Sequence, residues 1–291
     1  MLFALLKTAR PHQWVKNLFV AAPLVFALRL DDAHAVTRTV LALACFCLLS
    51  SAVYLLNDLV DVEKDRAHPL KRSRPIAAGT LPIPAARAAC AGFALVALVG
   101  AAALALPFAA VALAYFVLNI AYSFLLKRVA FLDVATISFG FLLRVLGGAT
   151  AIPVPPSPWL MLVTLLLAGL LGFGKRAHEL RVAGATGGAR RDVLDSYHPT
   201  VLRWLMGSLA VATVAVYGLY TQSAHALGLF QTKLLALTVP FVGFGVARFI
   251  WLTNRKNDDE SPTESMLRDR LFLANVAGYA LTIVIVIYRV R

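Results

Sequence analysis

The chain has 291 residues, 60% of them hydrophobic, and its 28 Lys and Arg against 15 Asp and Glu give a formal net charge of +13. Soluble domains are about 45–50% apolar. Here the apolar residues form runs of about 20, which is the length of a membrane-spanning helix and too long for barrel strands. The pattern therefore excludes a soluble fold. The basic residues are dispersed over short loops, which argues against nucleic acid as a partner.

Nine membrane-spanning helices are predicted, which makes the chain an all-α polytopic membrane protein with one domain over residues 1–291. An amphipathic lead-in at residues 1–13 precedes them. The predicted spans cover residues 14–30, 36–56, 85–105, 107–126, 130–152, 159–174, 201–222, 232–253 and 271–288. The three cysteines fall inside apolar runs, which is typical of packing residues rather than of a disulfide or a metal site.

The Lys and Arg residues concentrate in every second loop, whereas the intervening loops hold few of them. The basic loops cover residues 57–84, 127–129, 175–200 and 254–270. Because basic loops stay in the cytoplasm, we expect a multi-pass protein of the bacterial inner membrane with these loops and the N-terminus inside. The C-terminal Arg289 and Arg291 go against this rule. A phosphorylated, water-soluble metabolite would meet the protein on the cytoplasmic side.

The first of these loops carries the most informative pattern in the chain. It begins Asn57-Asp58-x-x-Asp61-x-x-x-Asp65, and a helix continuing from the second span would place the three aspartates on one face. Three carboxylates on one face repel each other unless a cation neutralises them. Oxygen ligands suit Mg²⁺, or Mn²⁺ as an alternative, shared with phosphate oxygens. The pattern therefore predicts a metal site at these four residues. A solvated helix end, with Asp65 paired to a neighbouring Lys or Arg, is the other interpretation.

Cations lie among and after the aspartates, within reach of a bound diphosphate. Lys64, Lys71 and Arg74 lie in the same loop; Arg binds phosphate with two hydrogen bonds and Lys acts as a point charge. We expect Lys71 and Arg74 above all to bind a diphosphate. The alternative is that these cations, like Lys127 at the end of the fourth span, only orient the protein in the membrane.

Two charged residues interrupt the fifth predicted span. A charge at the centre of a membrane helix costs about 2.5–3.5 kcal/mol on insertion scales. Asp133 and Arg144 are eleven residues apart, which places them on one face but about 16 Å apart along the axis, too far to pair. The spacing predicts that both line a polar cavity, unless each pairs with another span.

The pattern at residues 57–65, with Arg74-Pro75-Ile76 and Gly79 after it, resembles the first Asp motif of the UbiA-type intramembrane transferases. The resemblance extends to Arg10-Pro11-x-Gln13-Trp14-x-Lys16-Asn17, Tyr122 to Lys127, Arg144 with Gly147-Gly148, and Gly174-Lys175-Arg176-x-x-Glu179-Leu180. It implies a UbiA-like bundle of nine helices with a cytosol-facing polar cavity. Together the pieces indicate the branch of the family that transfers phosphoribose.

The chain departs from the prenyl-diphosphate users of that family at the end of the sixth span. They have a second Asp motif there, whereas residues 175–181 read KRAHELR. One Asp motif with a basic cluster suits a metal-bound diphosphate and an additional phosphate. The resemblance thus implies transfer of 5-phosphoribose from phosphoribosyl pyrophosphate to a polyprenyl phosphate such as decaprenyl phosphate. Pyrophosphate would be released, and the product would supply a lipid-linked arabinose donor for cell-wall arabinan.

The roles implied for the residues fall into three groups. Asp58 and Asp61 would be catalytic, as part of a metal site with Asn57 and Asp65. The donor would be bound by Lys64, Lys71, Arg74, Tyr122, Lys127, Arg144, Lys175, Arg176 and Glu179. The lipid phosphate would be bound by Arg10, Gln13, Lys16 and Asn17. The acceptor phosphate is already an anion, so no general base is required.

Several alternatives stay open at this point. Lys175 and Glu179 are four residues apart and would also suit a local ion pair. An aromatic prenyltransferase of the same family is the rival enzyme, and a transporter is the rival that catalyses nothing. A transporter predicts charges near the bilayer midplane, whereas the charges here concentrate at one surface. The bilayer is a further partner, and both a monomer and a homo-oligomer fit the sequence.

Overall fold

The computed structural model describes residues 1–68, 71–186, 192–255 and 262–288, with α-helices throughout. Parts of the predicted loops 57–84, 175–200 and 254–270 and the basic residues Arg289 and Arg291 lie outside these residues. The helices are α1 (Leu2–Ala9), α2 (Ala22–Phe26), α3 (Ala33–Val60), α4 (Val62–Ala67), α5 (Ile83–Leu104), α6 (Leu106–Phe124), α7 (Leu132–Ala151), α8 (Pro158–Thr186), α9 (Pro199–Gln222), α10 (Ala224–Phe230), α11 (Val239–Asn254), α12 (Pro262–Arg268) and α13 (Arg270–Tyr288).

Eight helices in the described part of the chain are long and apolar enough to cross a membrane. They correspond to eight of the nine predicted spans, so the predicted fold class is confirmed and the count of nine is approximate. The first predicted span is instead a 3₁₀ helix, Pro11–Ala21, followed by the short α2. Pro11 begins the 3₁₀ helix and Pro23 lies in the first turn of α2, and each lacks a backbone N–H donor. Arg10 and Leu28, both with positive φ, flank the segment.

The chain divides into two compact units, Met1–Ser157 and Pro158–Arg291. In the first unit α3 is the central helix, and it packs against α5, α6, α7 and the 3₁₀ helix Pro11–Ala21. Its buried Phe46 meets the ring of Tyr115 edge-on, with 5.1 Å between the ring centroids. All three cysteines of the chain are free. The earlier expectation of one membrane domain over the whole chain stays a prediction.

Two adjacent glycines set how closely the first unit packs. A Cβ atom on Gly148 would lie 1.9 Å from the carbonyl oxygen of Val20, and one on Gly147 would lie 2.6 Å from the ring of Phe46. No side chain fits at those distances. The 3₁₀ helix therefore lies directly against the backbone of α7, which brings the polar residues of the two segments together.

Arg38, in the N-terminal part of α3, links three helices of the first unit. Its Nε donates to the carbonyl oxygen of Ala151 at 2.6 Å, and its Nη2 donates to that of Leu104 at 2.7 Å. These carbonyls end α7 and α5, where helices leave acceptors unsatisfied and favour a positive charge. Arg38 thus has a structural reason to lie within an apolar run.

The second unit contains α8 to α13 and has its own core. Leu170 of α8, Met206 of α9 and Phe249 of α11 pack together in it. A Cβ atom on Gly174 would lie 2.4 Å from the ring of Phe249, so α8 and α11 also require a glycine where they meet.

Candidate active site

The aspartate motif lies where α3 ends. The predicted continuous helix bends at Asp61, whose backbone (φ −96°, ψ 8°) separates α3 from α4. Helical hydrogen bonds nevertheless cross the bend, because the Asp61 N–H donates to the carbonyl of Asn57 at 3.0 Å and the Asp65 N–H to that of Asp61 at 2.8 Å. Asp58 and Asp65, two turns apart, therefore still face the same way.

Asp58 and Asp65 share one guanidinium group. Arg74 donates from Nη1 to Asp65 Oδ2 at 2.8 Å and to Asp58 Oδ1 at 3.3 Å. Arg10 donates from Nη2 to the same Asp58 oxygen at 2.8 Å and lies 5.2 Å from the ring centre of Tyr54. The two carboxylates are only 4% and 5% exposed, so these are buried ion pairs rather than contacts at a solvated helix end.

Asp61 has a cation of its own. The Lys127 Nζ lies 2.7 Å from Oδ1 and 2.8 Å from Oδ2 of Asp61. Lys127 belongs to the 3₁₀ helix Leu126–Arg128 that follows α6. Three carboxylates thus meet three cations from separate segments, which leaves no net charge. We call this group the charged cluster; its members are Asp58, Asp61, Asp65, Arg10, Arg74 and Lys127.

A polar stripe on α3 runs from the charged cluster into the first unit. It consists of Cys47, the adjacent Ser50 and Ser51, Tyr54 and Asp58, whose helical spacing places them on one face. Across from it, the 3₁₀ helix places Trp14 Nε1 3.1 Å from Ser51 Oγ, and Asn17 Nδ2 3.1 Å from Ser50 Oγ. The stripe is therefore matched by polar side chains.

At the inner end of the stripe lies Arg144 of α7, which is 7% exposed. Its Nε donates to Asn17 Oδ1 at 2.8 Å, its Nη2 to the Tyr115 hydroxyl at 2.8 Å and its Nη1 to the Gly140 carbonyl at 2.9 Å. The rings of Tyr115 and Phe141 flank the guanidinium at 4.7 and 5.1 Å. Aromatic faces stabilise a cation, but all these partners are neutral.

In the second unit, the basic stretch of α8 forms local ion pairs. The fully buried Arg176 donates through Nη1 to Glu179 Oε2. Lys175 Nζ lies 4.0 Å from Glu179 Oε1. These contacts are the ones that spacings of three and four residues permit.

The family model described as the UbiA prenyltransferase family matches residues 17–276. The chain belongs to this family. A protein of Mycolicibacterium smegmatis named decaprenyl-phosphate phosphoribosyltransferase is 41% identical over 223 residues, covering 75% of this chain and 70% of that protein. A protein of Corynebacterium glutamicum with the same name is 34% identical over 295 residues, covering 98% and 86%. The predicted family resemblance is confirmed.

Solved structures agree with the family assignment. The fold resembles that of a UbiA homologue from Archaeoglobus fulgidus bound to GPP and Mg²⁺, with a TM-score of 0.71, 19% identity and coverage of 98% of this chain and 99% of that one. The same homologue bound to DMAPP and Mg²⁺ gives a TM-score of 0.70 at 19% identity. The chain is therefore a multi-pass integral membrane protein with the UbiA fold.

The charged cluster of this UbiA-family protein offers the donor atoms that a hard divalent cation prefers. Its three carboxylates supply oxygen ligands only, as Mg²⁺ requires. In the described ranges, no three His, Cys, Asp or Glu side chains are gathered closely enough to hold an ion, because cations separate the three aspartates. The residue types fit the ion, and Asp58, Asp61 and Asp65 would have to exchange their partners to bind it.

The structure brings some of the predicted donor-binding residues together and leaves others apart. Arg74 and Lys127 are in the charged cluster, and Arg144 is at the inner end of the stripe. Lys64 is exposed on α4, and Tyr122 is half-buried near the end of α6. Lys71, also half-buried, begins the short 3₁₀ helix Lys71–Ser73. Binding of the donor by any of them, and by Lys175, Arg176 and Glu179, stays a prediction.

Two of the four residues predicted for the lipid phosphate contact the charged cluster or the stripe. Arg10 pairs with Asp58 and Asn17 pairs with Arg144, while Gln13 is buried and Lys16 half-buried in the same 3₁₀ helix.

Asp133 lies at the start of a helix: its Oδ1 accepts a hydrogen bond from the Val134 N–H at 2.8 Å in the first turn of α7. An acidic side chain is favourable there, and this position gives Asp133 a structural role that the sequence pattern did not predict.

Tyr54, beside Arg10, and Tyr115, beside Arg144, were not predicted as site residues. The spacing of Tyr54 from Ser51 and Asp58 carried a signal for the first, since the three residues share a helical face. Tyr115 belongs to the apolar first part of α6, and only the packing of α6 on α7 brings its hydroxyl to Arg144.

Proposed function

We propose that this protein transfers 5-phosphoribose from phosphoribosyl pyrophosphate to a polyprenyl phosphate, with decaprenyl phosphate as the first acceptor to test. The observation that carries the proposal is the charged cluster, in which three buried or half-buried carboxylates meet two arginines and a lysine. The names of relatives at 34–41% identity support it. We further propose that the site faces the cytoplasm of a bacterial cell and supplies a lipid-linked arabinose donor for cell-wall arabinan.

The charged cluster suits a ligand that contains both a divalent cation and a diphosphate. Asp58, Asp61 and Asp65 would hold the cation, and Arg10, Arg74 and Lys127 would then turn from the carboxylates to the phosphate oxygens. Such an exchange keeps every buried charge paired, which matters because an unpaired buried charge is costly. When bound, the cation supplies charge withdrawal from the departing pyrophosphate.

The chemistry requires one bond to form and one to break at C1 of the ribose. An oxygen of the polyprenyl phosphate attacks C1, and the bond from C1 to the pyrophosphate oxygen breaks with its electron pair leaving on pyrophosphate. The attacking oxygen is already ionised, so the protein need not accept a proton. The work of Arg10, Arg74 and Lys127 is to bind and orient the diphosphate and to stabilise the charge that develops on it. Lys16 and Gln13, on the 3₁₀ helix that follows Arg10, are candidates for the lipid phosphate.

The test is a transfer assay with the purified protein in lipid nanodiscs. Mg²⁺, phosphoribosyl pyrophosphate labelled in the ribose and decaprenyl phosphate are supplied, and label in the lipid phase is compared with pyrophosphate released. We expect equal amounts of both, loss of both in EDTA, and recovery with Mg²⁺; Mn²⁺ is tried in its place.

Two parallel reactions separate the rival functions. Solved relatives are bound to prenyl diphosphates, so labelled geranyl diphosphate with 4-hydroxybenzoate tests prenyl transfer. Proteoliposomes loaded with label test transport without chemistry. A prenylated aromatic product, or flux of intact donor, with no labelled phosphoribosyl lipid would refute the proposal.

A further inference from the structure

Arg144 is a buried cation whose hydrogen bonds all go to neutral groups. Its acceptors are Asn17 Oδ1, the Tyr115 hydroxyl and the Gly140 carbonyl. Within the described part of the chain Arg144 forms no ion pair, and none of its hydrogen bonds goes to a carboxylate. A guanidinium carries five N–H donors, and three of them are donated to these groups. A charge in this position remains costly until an anion matches it.

The position of Arg144 is defined relative to the aspartate motif by the polar stripe. Arg144 binds Asn17, and Asn17 binds Ser50 of α3. Ser50 precedes Asp58 by eight residues, which is about 12 Å along the helix axis. Tyr54, half-buried, lies between them on the same face. The rise along α3 from Ser50, which Asn17 links to Arg144, to Asp58 is comparable with the length of a pentose that carries phosphate groups at C1 and at C5.

The guanidinium is held firmly before any ligand reaches it. Gly148 allows the backbone of the 3₁₀ helix to lie against α7, since a Cβ atom there would be 1.9 Å from the carbonyl oxygen of Val20. This contact lies one turn from Asn17. Asn17 is itself fixed by Ser50, at 3.1 Å from Nδ2 to Oγ. Arg144 is thus pre-oriented, which reduces the entropy lost on binding.

We propose that Arg144, positioned by Asn17 and Tyr115, binds the second phosphate of a phosphosugar diphosphate donor and thereby selects that donor over a prenyl diphosphate. This inference rests on the proposed function and assigns the two ends of the donor to different places: the diphosphate to the charged cluster, the sugar phosphate to Arg144. A prenyl chain in the same place would cover the guanidinium with hydrocarbon and leave its charge unmatched.

The test uses two inhibitors that each represent one end of the donor. Ribose 5-phosphate and pyrophosphate compete with phosphoribosyl pyrophosphate in the transfer assay, with wild type, Arg144→Gln and Arg144→Lys. We expect Arg144→Gln to weaken inhibition by ribose 5-phosphate about 10- to 100-fold, the loss of charge-assisted hydrogen bonds, and to leave inhibition by pyrophosphate unchanged. Arg144→Lys keeps the charge and should recover part of the loss.

Arg38→Gln is the matched control, because Arg38 is also an arginine of the first unit that donates to helix carbonyls. It should leave both inhibition constants unchanged. Equal weakening of both inhibitors in Arg144→Gln, or ribose 5-phosphate inhibition as strong as in wild type, would overturn the inference. If Arg144→Gln does not fold, the same comparison is made with Arg144→Lys. A wild type that makes no phosphoribosyl lipid refutes the proposed function itself, whereas an active wild type with unselective variants refutes only the role of Arg144.

Discussion

Removing Arg74 should show how strongly the charged cluster depends on paired charges. Arg74→Met leaves Asp58 with Arg10, but it takes from Asp65 the only cation that the described structure places on it, at 2.8 Å. Breaking a buried ion pair by removing one partner costs about 3–5 kcal/mol. Since Arg74 itself is 23% exposed, we expect the lower end, roughly 3 kcal/mol of the free energy of unfolding.

A second substitution distinguishes the loss of the Asp65–Arg74 ion pair from the loss of packing around Arg74. Asp65→Asn in the Arg74→Met background removes the uncompensated charge, so the double variant should be more stable than Arg74→Met. Unfolding is followed by circular dichroism in mixed micelles with increasing SDS, for wild type, both single variants and the double variant. We expect a coupling energy above about 1 kcal/mol, as for other contacting residues. Additive effects in the double variant would refute the reasoning, because they would mean that Arg74 contributes by packing alone.

Further predictions address the reaction, the packing and the pH dependence. Asp58→Asn or Asp61→Asn should abolish transfer of labelled phosphoribose with an unchanged gel-filtration profile; near-normal turnover would exclude the metal role. Gly148→Ala should destabilise the protein by about 1–3 kcal/mol through overpacking, measured as a lower SDS midpoint; an unchanged midpoint would mean that the 3₁₀ helix yields easily. Hydrogen bonds from Arg248 hold the pKa of Asp269 below its ordinary value. The stability that this ion pair contributes is present above about pH 4 and is lost as the pH falls further. The thermal unfolding temperature of Asp269→Asn should therefore depend less on acid pH than that of wild type. An equal pH dependence of the two proteins would contradict this prediction.

The membrane helices could be predicted from the sequence because their signal is local. Runs of about 20 apolar residues must form helices in a bilayer, where every backbone group needs an internal partner. The exception is the stretch after Arg10, where composition predicts a span but the structure forms a 3₁₀ helix and the short α2. Hydropathy does not register the prolines and positive φ angles that shorten this segment, although Pro11 and Pro23 were visible in the sequence.

The residues of the charged cluster could be predicted, but their pairing could not. The helical spacing of Asp58 and Asp65 identifies a shared face, and the bend at Asp61 did not disturb it. Which cation meets which carboxylate depends on contacts across 48 residues for Arg10 with Asp58 and 66 residues for Lys127 with Asp61. No local pattern encodes such contacts, since they follow from how α1, α3 and α6 pack.

The paired carboxylates bear on the choice between a metal site and a charged helix end. The sequence offered these as alternatives, and the Asp65–Arg74 pair is the contact that a helix end would make. However, Asp58 and Asp65 are almost fully buried, and buried ion pairs contribute little to stability compared with apolar residues of the same size. Two almost fully buried carboxylates and the half-buried Asp61, paired with three cations, are therefore an unfavourable way to end a helix. The charged cluster instead keeps the site neutral in the absence of a ligand. It also contains both the carboxylates that a divalent cation needs and the cations that a diphosphate needs.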